Sequence, residues 1–141
     1  MFHVINSESD LRKVFAIRAI VFCEEQLVPY EIEIDEYEDS AIHILGELSG
    51  EPFASGRLRF LGEYAKIERL AIRKRYRGKG YGKLLLNYAL DIARNEGFKK
   101  FKLHAQVASE KFYLNNGFEP QGQQFLEADI PHRIMLKHDF F

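Results

Sequence analysis

The chain has 141 residues, 46% hydrophobic and 29% charged, with a net charge of −1 and one cysteine. That length suits one ordinary domain spanning residues 1–141 with a core of its own. The composition excludes an internal disulfide, a general electrostatic attraction to nucleic acid or anionic lipid, and a span of about 20 apolar residues across a bilayer.

In chain order, residues 2–5 read as a short strand. Residues 7–10 have the form of a capping box, with Ser7 and Asp10 each able to accept from a free amide. Leu11, Val14, Phe15, Ile17, Val21 and Phe22 follow at three-and-four spacing, giving a helix with one apolar face that Pro29 should end. Cys23 sits on that helix without a visible partner and reads as a small buried hydrophobe. Residues 31–39 hold six carboxylates in nine positions and read as an exposed loop or ragged helix. Strands are expected over residues 42–48, 53–60 and 64–72, the first two joined by a Ser49-Gly50 turn.

A basic glycine-rich loop comes next. Six of the eleven side chains from 73 to 83 are basic, and Gly78, Gly80 and Gly82 alternate within it. Leu84, Leu85, Tyr88, Ala89, Ile92 and Ala93 then mark a helix face, with Gly97 suited to a left-handed C-terminal position. Phe101, Leu103 and Ala105 alternate with Lys100, Lys102 and His104 as a half-exposed strand. A short helix over residues 107–116, a looser strand near 123–126 and a last strand over 133–138 complete the chain. Helices interspersed among strands indicate an α/β or α+β domain on a mixed sheet.

The strand–loop–helix around the glycines carries the chemistry. Amides at a helix start have no intrahelical acceptor, and the helix dipole adds about half a positive charge there. Such a terminus suits a phosphate. A Walker A loop is excluded because Leu84 follows Lys83, and the spacing G-x-G-x-G is not the dinucleotide fingerprint.

Two motifs together resemble the GCN5-related N-acetyltransferase (GNAT) superfamily. Arg77-x-x-Gly80-x-Gly82, preceded by Glu68-Arg69-Leu70-Ala71-Ile72, is similar to its acetyl-coenzyme A signature. Phe112-Tyr113-x-x-x-Gly117-Phe118 resembles its C-terminal helix ending, with Gln106 seven residues before Tyr113. Arg18-x-x-Val21-Phe22-x-x-Glu25-Gln26, then Asp35, Asp39 and His43, and late Ile130-Pro131-His132-x-x-Met135, resemble the ElaA/YjcF-like branch.

The resemblance implies a mostly antiparallel sheet of six to seven strands flanked by about four helices. It implies backbone contacts from Leu70, Ala71 and Ile72 to a pantetheine arm, with Gln106 also near the coenzyme. The pyrophosphate would rest on amides of Arg77, Gly78, Lys79, Gly80, Tyr81 and Gly82. A strand bulge would aim an amide at the acyl carbonyl, where one oxyanion donor is worth about 3 kcal/mol. Strands splayed beside it would admit an amine acceptor, and Tyr113 would be the acid at the leaving sulfur.

Glu68 and His132 are candidate bases. His104, on the polar side of a Lys-rich strand, reads as exposed. The acidic stretch reads as a solvated loop, or as an attractor of a cationic acceptor such as a polyamine or lysine-bearing peptide. The five histidines show no zinc-type spacing, so no metal is expected. The expected reaction moves an acetyl group from acetyl-coenzyme A to a small-molecule or peptide amine by direct attack in a ternary complex. The alternative is a non-catalytic coenzyme A-binding module. No nucleic-acid or membrane partner is expected, a homodimer is left open, and a cytoplasmic location is the expectation.

Overall fold

A computed structural model describes residues 1–140. Among them lie seven strands: β1 Phe2–Val4, β2 Ile42–Leu48, β3 Glu51–Leu61, β4 Tyr64–Ile72, β5 Lys100–Gln106, β6 Glu119–Glu127 and β7 Ile130–His138. Four α-helices accompany them: α1 Glu8–Arg18, α2 Tyr30–Glu33, α3 Tyr81–Asn95 and α4 Glu110–Asn115. The strands form one sheet in the order β1-β2-β3-β4-β5-β7-β6. Every pairing is antiparallel except β4 with β5. The long crossover through α3 makes that pair parallel, because a hairpin cannot.

The alternation in each strand assigns its two faces. On one face Leu85, Leu86, Ala89, Leu90 and Ala93 of α3 pack with Ile44, Phe53, Leu58, Ala65, Ile67, Phe101 and Leu103. On the other, Val14, Ile17 and Val21 pack with Leu45 and Ala71. The Ser49-Gly50 turn forms as expected, both residues holding positive φ (51° and 78°). That geometry matches the right-handed twist of the strands it joins.

Three local expectations change. Ser7 does cap α1, accepting from the Asp10 amide at 3.1 Å. The Asp10 carboxylate instead meets His3 Nε2 at 3.2 Å and Lys13 at 3.8 Å. The apolar helix does not run to Pro29. After Arg18 it widens into a π-helical turn, Ala19–Glu25, and it stops before Leu27, which has φ 61°. Pro29 begins α2 rather than ending anything. Helix 107–116 is a 3-10 turn, Val107–Ser109, followed by α4, stopped by Gly117 at φ 87°.

Candidate active site

β4 ends in a tight anchored turn. The Arg73 amide donates to the Phe53 carbonyl at 2.9 Å, and the buried Tyr76 ring lies 5.0 Å from that of Phe53. The chain then passes Gly78 and Gly80 at φ 76° and 87°. These left-handed angles are cheap only for glycine. Gly80 caps α3, whose first backbone bond runs from the Leu84 amide to the Gly80 carbonyl at 3.3 Å. Among the described residues, the amides of residues 78–83 have no backbone acceptor outside that helix. Six consecutive donors and a helix dipole thus converge on one spot.

The basic side chains around this spot divide in two. Arg73 and Arg75 reach Glu51, and Arg77 reaches Glu25 Oε2 at 2.7 Å. Lys74, Lys79 and Lys83 stay exposed, with no carboxylate within 4.0 Å among the described residues. Arg77 differs from its expected role. Its amide donates to the Lys74 carbonyl at 3.2 Å, and its Nε donates to the Ile72 carbonyl at 2.8 Å. It ties the loop to β4 and to the π-helical turn, so the free amides begin at Gly78. Gly82 lies beside α4: a Cβ there would be in ordinary contact with the Phe112 ring at 3.6 Å.

The sheet opens beside this loop. β4 and β5 pair only from Tyr64–Lys66 to Lys100–Lys102, and beyond Lys66 they separate. On its other edge β4 bulges: Ser55 opposes Ala71, but Arg57 opposes Glu68, leaving one extra residue opposite Gly56. Arg69 takes φ 53° at that bulge. Bulges re-aim backbone groups beside active sites. The parted strands enclose a cleft of about 410 Å³. Leu70 lines it, Ile72 is half-buried, and the Ala71 side chain is buried beneath α1. Gln106, at the end of β5, lines it too and donates from Nε2 to Gln26 Oε1 at 2.8 Å.

Tyr113 of α4 lines the cleft. Its ring is held edge-on by Phe112 at 5.1 Å and Phe118 at 5.9 Å. Burial alone pushes its phenol up to about 12. Desolvation disfavours the phenolate, so the proton stays on at neutral pH.

Glu68 also lines the cleft, but Arg57, Arg59 and Lys66 surround it at 3.0, 2.6 and 3.1 Å. Burial alone would raise its carboxyl, and these cations more than reverse that, holding it at about 2. Such a carboxylate has little affinity for a proton, so the base expected at Glu68 is an ion-pair anchor instead.

His132 is buried at the opposite wall. Its Nδ1 lies 2.7 Å from the Ile130 carbonyl, which can only accept, so Nδ1 carries a hydrogen and Nε2 is the nitrogen left to accept one. Nε2 lies 3.7 Å from Glu127 Oε2, while His104 Nδ1 lies 2.9 Å from Glu127 Oε1. Phe125 stacks on His132 at 6.0 Å and meets His104 edge-on at 5.2 Å. His104 is therefore not exposed as expected but lines the cleft. Glu127, between the two imidazoles, was invisible in the sequence because its partners are on other strands. A proton arriving on His132 Nε2 would face this carboxylate directly.

The acidic stretch is the largest correction. Glu33 and Glu38 are buried, and with Asp35 they fold onto arginines rather than into solvent. Arg18 binds Glu33 and Glu38, each at 2.7 Å, and Arg57 binds Asp35 at 2.7 Å and Glu38 at 3.1 Å. Asp35 is held at about 2, its guanidinium partners outweighing burial. Asp39 is exposed. Glu33, Asp35 and Glu38 already have their cations, whereas Glu31, Glu36 and Asp39 stay exposed. Away from the cleft, His3, Asp10 and Glu47 also converge, with Lys13 Nζ 3.2 Å from Glu47.

No described helix is long and apolar enough to cross a membrane. The sequence pattern of the acetyltransferase (GNAT) family matches residues 10–118. The chain is 38% identical over 136 residues to the uncharacterized protein YyaT of Bacillus subtilis, covering 94% of this chain and 92% of that one. It is 35% identical over 135 residues to the uncharacterized N-acetyltransferase YjcF of the same organism, covering 95% and 96%. The crystal structure of Escherichia coli ElaA superposes with a TM-score of 0.89 at 29% identity, covering 98% of this chain and 99% of ElaA. Glycine loop, splayed strands, bulge and sequence matches agree, and the chain belongs to the acetyltransferase (GNAT) family, in its ElaA/YjcF-like branch.

Proposed function

We propose that this protein transfers an acetyl group from acetyl-coenzyme A to an amine by direct attack within a ternary complex. The observations that carry this reading are the row of free amides at residues 78–83, the parting of β4 from β5 beyond Lys66, and Tyr113 lining the cleft between them. The diphosphate rests on those amides, with Lys79 and Lys83 beside it. The pantetheine arm follows β4 past Lys66, where the strand has no partner. An amide at the Arg69–Leu70 bulge faces the thioester oxygen as the oxyanion donor.

The acceptor occupies the cleft. Its nitrogen attacks the thioester carbon, the C–N bond forms and the C–S bond breaks. The amine's proton passes to His132 Nε2, where Glu127 stabilises the imidazolium. Tyr113 donates a hydrogen bond to the sulfur as negative charge develops there. A thiol's ordinary pKa is about 8.5, so the phenol at about 12 holds its proton more strongly than the sulfur would. Its contribution is therefore the hydrogen bond itself.

Acetyl-coenzyme A at 100 times its Kd should add about 2.7 kcal/mol of stability. At this chain length that raises Tm on the order of 10 °C. Gly80→Ala should shrink this shift. Its Cβ meets open space, yet φ 87° is resisted by L-residues at roughly 1–2 kcal/mol. If no acyl-coenzyme A ester shifts the melt, the proposal fails at its first step.

His132→Gln should keep the coenzyme-induced shift and lower turnover about 10²-fold or more, the lower range for a general base. Undiminished turnover would move the proton to another acceptor.

A further inference from the structure

The residues behind the cleft form one connected set of charges whose two signs do not balance. Its cations are Arg18, Arg57, Arg59, Lys66 and Arg69, and its carboxylates are Glu33, Asp35, Glu38 and Glu68. Five positive charges face four negative ones. Arg18 and Arg69 each hold two carboxylates and Arg57 holds three. Arg59 and Lys66 have only Glu68, which they share with Arg57. The excess positive charge therefore sits at the Arg59–Lys66 end.

That end is part of the cleft wall. Both side chains line it while being only 12% and 13% exposed, so water compensates them poorly. The Arg59 guanidinium lies 3.7 Å above the Tyr37 ring and uses Nε and Nη2 on Glu68. Its Nη1 has no acceptor among the described residues. Across the cleft Glu127 feels the charge of Lys66 but is engaged by His104 at 2.9 Å and makes no ion pair with Lys66 or Arg59. His43, behind the set, is kept neutral by burial and adds no charge.

We propose that the acceptor is a small amine that also bears a carboxylate, an amino-acid-type substrate, with that carboxylate seated on Arg59 and Lys66. A planar carboxylate suits the free edge of a guanidinium and the spare protons of an ammonium. A cleft of about 410 Å³ accommodates a small molecule. This inference rests on the acyl-transfer reading above and names its substrate class.

The test uses the full chain, acetyl-coenzyme A and matched acceptor sets: an amino acid, its amide and its decarboxylated amine, with the amine on the α, β or γ carbon. Thiol release is followed for each. At least one amino acid should exceed both its uncharged counterparts in kcat/KM by about tenfold or more. Lys66→Met, which leaves Glu68 with Arg57 and Arg59, should reduce that ratio several-fold, and Arg59→Gln should do the same through a separate contact. A thermal melt confirms that each variant is folded, and the two together guard against the loss of one. Amides and decarboxylated amines turning over as well as the acids would overturn the carboxylate site and leave acyl transfer standing. Coenzyme binding with no turnover on any acceptor would overturn the acyl-transfer reading and this inference with it.

Discussion

Tyr113→Phe should leave acetyl-coenzyme A affinity within about twofold and lower turnover by about 10²–10³, the range for one lost hydrogen-bond donor to a developing negative charge. The argument is local. The ring is clamped between Phe112 and Phe118, so removing one oxygen leaves its packing intact. Burial is the sole cause of the raised phenol pKa, so no protein hydrogen bond is broken by the change. The variant should therefore match the parent in Tm with and without coenzyme. Sulfur departure is the step that suffers, so a thioester with a better leaving thiol should recover part of the rate. No loss of activity in the thiol range should trace to Tyr113, whose phenol keeps its proton until pH approaches about 12. A phenylalanine variant with parental turnover on a competent acceptor would take Tyr113 out of the chemistry.

Much of this arrangement was legible in the chain. The loop announces itself because its signal is contiguous: three alternating glycines, a basic cluster and an amphipathic helix within twenty residues. Strand faces follow from alternation, and β4 appeared with the bounds the structure gives it. The acidic stretch was misread for a reason that local pattern cannot repair. Glu33, Asp35 and Glu38 look solvated beside their sequence neighbours, yet their partners Arg18, Arg57 and Arg69 lie 15 to 36 positions away. A charge count by segment records the carboxylates and misses the guanidiniums that face them across the fold.

The same limit explains His104, Glu68 and Glu127. His104 alternates with buried residues and so looked exposed, but the sheet face it points to is walled by β6 and β7 and becomes the cleft. Glu68 sat where a base was wanted, and only the register Arg57↔Glu68, with Arg59 two residues on, shows that it anchors cations. Arg18, Glu25 and Gln26 form a spaced pattern to which the sequence attaches no mechanism. The fold supplies one. The π-helical turn carries Glu25 to Arg77 and Gln26 to Gln106, so the N-terminal segment braces the glycine-rich loop and the end of β5.

Arg57→Met should be the most destabilising single change, by about 3–5 kcal/mol at neutral pH, the cost of breaking a buried ion pair from one side. Arg57 is 1% exposed and touches Asp35, Glu38 and Glu68. Methionine fills much of its volume without meeting any of the three. Against a total of roughly 5–15 kcal/mol, this consumes a large fraction of the stability. The pH dependence distinguishes lost charge pairing from lost packing. Asp35 and Glu68 fall from ordinary values of 3.8 and 4.5 to about 2 in the folded protein. A carboxylate depressed on folding stabilises fully above its unfolded value and loses that contribution as pH falls towards the folded one. The parent should therefore weaken steeply between about pH 4.5 and 2, whereas Arg57→Met, already without much of this term, should weaken less. Urea unfolding at pH 7 and at about pH 3 measures both. The gap between the two proteins should narrow at the lower pH, and a gap of equal size at both would mean that Arg57 stabilises through packing rather than through its charge.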